Sequence, residues 1–153
     1  MGKKTEIVED FKRAITSTIK SIIGDQHIEI IFGNVVNKRN KKTINLPSLK
    51  DTNNKIDYIK ARALADSEAL RLKCSNINVY NSFEPRGNTS KLLYAVAEKI
   101  RYENIGSSYF KGIRKNLNYF YEIKNEKNDE NKNNDYEFLD AFEYYLRSKI
   151  SKF

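Results

Sequence analysis

Apolar residues recur along this chain three and four positions apart, and that spacing predicts helix over most of its length. In residues 6–23, Val8, Phe11, Ile15, Thr18, Ile19 and Ile22 fall on one stripe, whereas Lys12, Arg13 and Lys20 fall off it. An amphipathic helix is expected there, closed at Gly24, because glycine takes the left-handed conformation of a helix C-cap at no steric cost. Residues 27–32 (HIEIIF) are β-branched and bounded by Gly33, and residues 43–46 (TINL) are stopped by Pro47. The two runs predict a small β-hairpin near residues 27–46, with a long, basic and mobile loop at 34–42.

The helical period returns at residues 57–74, where Ile59, Ala63, Leu70 and Cys74 share a face that Asp66 and Ser67 interrupt. Residues 76–88, rich in Asn and punctuated by Pro85 and Gly87, read as turns. Thr89 is the expected cap of a helix to about residue 104, with Leu92, Leu93, Val96 and Ile100 facing inward. Gly106 is expected to break it. A further helix at 109–123 would bury Ile113, Leu117, Phe120 and Tyr121, and a last one at 136–150 would bury Leu139, Phe142, Leu146 and Ile150. Residues 124–135 hold no apolar side chain and read as a mobile polar linker. The expected fold is mainly α (α+β): one helical domain over residues 1–153 carrying one small hairpin.

Composition narrows the class of protein. With 39% apolar residues, ten Tyr and eight Phe in 153 residues, the chain is too aromatic to be disordered. No apolar run approaches the roughly 20 residues of a membrane-spanning helix, and the N-terminus lacks the apolar core of a secretory signal. Gly2 invites a myristoylation reading that fails at Glu6, where Ser or Thr is required. The single cysteine, Cys74, excludes an internal disulfide and a cysteine-based zinc site, so a cytoplasmic protein is expected.

The net charge of +8 would by itself suggest nucleic acid. Yet 20 of the 28 basic residues are Lys, against 8 Arg, beside 18 Asn and 17 Ile, a set whose codons are rich in A and T. A biased genome explains the charge as well as a phosphate-binding surface does.

Catalytic signatures do not emerge. His27 is the only histidine and has no HExxH, HxH or CxxC companion; neither a Gly-rich phosphate loop nor a GxSxG elbow occurs. Cys74 reads as an inert thiol on a helix face. The acidic residues on helix faces are more informative. Asp66 lies between Ala63 and Leu70, and a carboxylate on a packing face needs a cationic or hydrogen-bonding partner, for which Arg101, Arg62 and Arg71 are candidates. Glu98, Arg101 and Glu103 crowd the helix end before Gly106.

LADSEALRLKC (64–74), EPRG (84–87) and KLLYAVAEKIRYENIGSSYFKGIRKNL (91–117), in that order and spacing, resemble the N-terminal region of the cobaltochelatase CobT subunit. FKRAITSTIKSIIGD and IEIIFG within 11–33, the Leu46-Pro47 step and FLDAFEYYLRSKI (138–150) extend the resemblance over almost the whole chain. Family members usually carry His after the cysteine and another His a few residues on; Ser75 and Tyr80 stand there in this sequence. The von Willebrand A-like domain of the family, with its DxSxS metal site, has no counterpart in these residues, as expected of an excised N-terminal domain or a shortened homologue.

The resemblance implies a non-catalytic assembly domain of the ATP-dependent cobaltochelatase, a ligase that inserts Co(II) into hydrogenobyrinic acid a,c-diamide during cobalamin biosynthesis. The implied partners are the AAA+ ATPase subunit and the large corrin-binding subunit. The implied complex uses ATP, Mg(II) and Co(II), with no cofactor or metal bound by this chain and no membrane. The residues it shares with the family, Asp66, Pro85, Gly87, Glu98, Arg101, Glu103 and Gly106, are the candidate partner-binding set. The competing reading, a basic helical nucleic-acid-binding protein, rests on charge and aromatics and predicts binding that weakens steeply with salt.

Overall fold

The computed structural model describes residues 2–33, 43–49, 54–130 and 137–150. Its elements run α1 (Gly2–Ile23), β1 (Glu29–Phe32), β2 (Thr43–Leu46), α2 (Lys55–Cys74), α3 (Ile77–Phe83), α4 (Asn88–Tyr109), α5 (Lys111–Glu130) and α6 (Glu137–Ile150). Helix takes 80% of the described residues, and the two strands form the sheet, so the fold is mainly α as the periodicity predicts.

Two compact units divide the chain, Met1–Ala69 and Leu70–Phe153. In the first, Ile15, Ile19 and Ile22 of the α1 stripe are buried, as are Ile28, Ile44, Leu46 and Leu49. Gly24 closes α1 at φ 79°, with its N–H donating to the Lys20 carbonyl. The Phe11 and Tyr58 rings meet edge to face at 4.8 Å, and the Lys12 ammonium lies over the Phe32 ring.

The strands correct the expected hairpin. They pair in parallel, Glu29 opposite Thr43 and Phe32 opposite Leu46. A hairpin turns the chain straight back and pairs its strands antiparallel, so this parallel register excludes one. Residues 34–42, where a mobile loop is expected, lie outside the described residues.

In the second unit, α4 packs against α5 and α6, and the elements differ from expectation at four places. The turn-like stretch 76–88 contains α3, because the Asn76 side chain caps it by accepting from the Asn78 and Val79 amides. Glu84 leaves α3 in an extended conformation, as the residue before Pro85 must. Gly87, at φ 101°, caps α4 in place of Thr89, which lies inside the first turn.

Helix α4 continues through Gly106 to Tyr109, since a glycine costs a helix only about 1 kcal/mol. One non-helical residue, Phe110, then separates α4 from α5. The polar stretch expected as a linker is helical as far as Glu130. It holds no Gly or Pro, and Lys124 within it donates to Asp140 (2.8 Å) and Glu143 (2.7 Å) of α6. Residues 131–136 lie outside the described residues.

Candidate functional site

Three of the seven candidate residues are interior. Asp66 is 1% exposed and accepts a 3.1 Å bond from Arg62 Nε, one helical turn earlier on α2. Of the three arginines considered, Arg62 thus supplies a partner from the same helix. Glu103 is also 1% exposed, and Gly106 is buried against the Leu70 side chain.

Glu98 and Arg101 do come together, at the C-terminus of α2. Arg101 grips Glu98 through Nε (2.6 Å) and Nη2 (2.8 Å), and Nη2 also donates to the Cys74 carbonyl (2.8 Å). A guanidinium on a terminal helix carbonyl satisfies an orphan acceptor and complements the negative end of the helix dipole. Ser75 donates to Glu98 from the other side. The bond from Arg101 holds the Glu98 carboxyl below its ordinary value against the opposing effect of burial, with Ser75 assisting. Burial raises the Cys74 thiol despite the nearby charges of Arg101 and Lys73, so the thiolate is disfavoured.

Ser75 and Tyr80 therefore have structural work in this chain. Tyr80 stacks on Tyr94 with ring centroids 4.8 Å apart, and the Tyr94 hydroxyl donates to the Tyr80 carbonyl.

The residues of the 84–87 turn flank a surface that the periodicity did not reveal. No residue of α3 is buried, and Ile77, Val79 and Phe83 are exposed, Phe83 by 73%. Leu92 on α4 is exposed as well, and Lys91 is paired with Glu84 at 2.6 Å. Seven residues rich in Asn give no helical stripe to read. The capping Asn76 two residues ahead of Asn78 was the available signal.

A second arrangement, deeper in this unit, joins α4, α5 and α6. Glu103 accepts from Arg147 Nη2 (2.6 Å) and from the Tyr121 hydroxyl (3.1 Å). Arg147 also bonds Glu143 (3.0 Å) and lies 3.5 Å from the centroid of the Tyr121 ring. Glu143 is further served by Lys99 (3.4 Å) and Lys124 (2.7 Å). Burial works to raise Glu143, but Lys99, then Lys124 and Arg147, outweigh it and bring the carboxyl down to about 2. Burial and the Glu103 charge push the Tyr121 phenol far above its ordinary value, so it remains a donor.

Three carboxylates, Glu103, Glu143 and Asp140, thus meet three cations, Lys99, Lys124 and Arg147. Pairing of this kind makes buried charge tolerable and fixes how three helices meet. Of the four candidates that are not interior, Gly87 and Arg101 are exposed, whereas Pro85 and Glu98 are half-buried.

Residues 5–151 match the family model described as cobalamin biosynthesis protein CobT. The chain belongs to the CobT family. Its role lies in cobalamin biosynthesis, in agreement with the blocks at 64–74, 84–87 and 91–117. No solved structure matches this CobT-family chain. Among its described residues, no helix is long and apolar enough to cross a membrane, and no group of three His, Cys, Asp or Glu side chains is disposed to hold a metal ion.

Proposed function

We propose that this CobT-family chain is a non-catalytic assembly domain of the ATP-dependent cobaltochelatase that inserts Co(II) into hydrogenobyrinic acid a,c-diamide in the cytoplasm. Co(II) and the corrin are substrates of the complex, and ATP and Mg(II) serve its AAA+ subunit. The large subunit holds the macrocycle. This domain docks the AAA+ subunit through α3 and the 84–87 turn, with Arg101 at the edge of the contact.

The observation that carries the reading is the exposure of α3. A short helix that buries none of its own apolar residues contributes little to the core, and exposed clusters of this kind mark protein contacts. Pro85 and Gly87 fix the turn beside it, and the Glu98–Arg101–Cys74 clamp ties the end of α2 to the middle of α4. Glu103 and Gly106 then serve the contact from inside, by holding the helices that present it.

The test is a binding titration of this chain against the AAA+ cobaltochelatase subunit, with and without ATP and Mg(II). Micromolar or tighter association is expected, weakened at least ten-fold by Phe83→Asp with the helical circular dichroism unchanged. Absence of binding under both conditions, or binding indifferent to Phe83→Asp, would refute the assignment.

A further inference from the structure

The second unit carries a cleft whose chemistry the assembly role leaves unused. It measures about 310 Å³ and opens between α5 and α6 over the Glu103–Arg147–Tyr121 cluster. That volume sits at the lower end of the range for small-ligand sites, roughly 300–1,000 Å³. Asn118, Glu122 and Asn125 line one wall at positions i, i+4 and i+7 of α5, the spacing of a single helix face. Tyr144 and Arg147 of α6 line the other, and Leu117 adds an apolar surface.

Two features define what the cleft can hold. Arg147 is fixed by Glu103 and Glu143 through Nε and Nη2 and by the Tyr121 ring beneath it; its Nη1 has no hydrogen-bond partner among the described residues. A guanidinium held this rigidly offers its remaining nitrogen as a preorganised donor. Glu122, by contrast, is an exposed carboxylate with no ion-pair partner among the described residues, and Asn118 and Asn125 likewise have amides without partners there. A spare cationic donor and an uncompensated carboxylate thus line the same small cleft.

We infer that the cleft binds a small zwitterion of the amino-acid class. The ligand carboxylate would accept from Arg147 Nη1 and from the Asn amides. Its ammonium would pair with Glu122, and an apolar side chain would lie on Tyr144 and Leu117. A simple anion would meet Glu122, and a simple cation would meet the Arg147 donor, so each half of the ligand is disfavoured alone. This reading is independent of the docking surface, since it uses α5 and α6 and none of α3.

The probe is L-phenylalanine, titrated into the ¹⁵N-labelled chain beside phenethylamine, which lacks the carboxylate, and 3-phenylpropionate, which lacks the ammonium. The expected result is saturable shifts confined to amides near 117–125 and 144–148, with the whole amino acid binding at least ten-fold tighter than either half. Glu122→Gln preserves shape at an exposed site and is expected to weaken phenylalanine and phenethylamine about ten-fold while strengthening 3-phenylpropionate, which no longer meets a like charge. No saturable shift up to the solubility limit, equal binding of the halves and the whole, or indifference to Glu122→Gln would each overturn the inference.

Discussion

Gly106 and Leu70 meet so closely that a Cβ on Gly106 would lie 2.1 Å from Leu70 Cδ2 and 2.6 Å from Cδ1. Leu70 is fully buried, so its side chain has little space into which to retreat. The glycine thus sets how near the α4 backbone comes to Leu70. Its cost to helix propensity, about 1 kcal/mol, is offset by that contact.

Gly106→Ala is expected to destabilise the chain by about 1–2 kcal/mol, because overpacking outweighs the gain in helix propensity. Leu70→Ala alone should cost about 3 kcal/mol by leaving a cavity. The double variant should be more stable than the sum of the two, since the new methyl enters the space that Leu70 vacates. Urea denaturation of all four proteins measures the coupling; strict additivity would show that the two residues do not share that space.

Glu143 gives the chain an acid limit. Its carboxyl lies at about 2 in the folded protein against an ordinary 4.5, so the unfolded chain takes up the proton first as pH falls. The stabilisation is therefore complete above about pH 4.5 and is lost as pH falls toward 2, in total about 3 kcal/mol. Glu143→Gln should be destabilised by a comparable amount at pH 7. The gap to the parent should narrow steadily between pH 4.5 and 2, as followed by denaturant midpoints across that window. A gap that stays constant would mean that Glu143 does not carry the dependence.

Tyr121→Phe keeps the ring against Arg147 and deletes only the hydroxyl donated to Glu103. A hydrogen bond to a buried carboxylate predicts a loss of about 1.5–3 kcal/mol. Alkaline titration followed by ultraviolet absorbance supplies a second readout. The variant should show one fewer tyrosine that resists ionisation while the chain is folded.

The helices were legible because each writes its period locally. Ile15, Ile19 and Ile22 sit on the stripe drawn for α1, and Ile100, Ile113 and Leu117 are buried where the spacing put them. Gly24 closes α1 as its neighbours required. The candidate residues were less legible, because a carboxylate on a helix reads the same whether it faces water or a guanidinium. Asp66 was recognisable as anomalous by its apolar neighbours. Glu103 stood in a polar helix end and gave no sign that Arg147, 44 positions away, would meet it.

The sequence by itself determined the helical class, the principal helix stripes and the kinship with CobT, since periodicity and ordered blocks are properties of neighbouring residues. Only the tertiary structure decided that β1 and β2 run parallel, that Gly106 stays helical against Leu70, that α3 stands exposed, and that three cations neutralise three carboxylates among α4, α5 and α6. Those outcomes depend on which distant surfaces meet. The free energy of such meetings comes from burial and charge pairing, which no local pattern encodes.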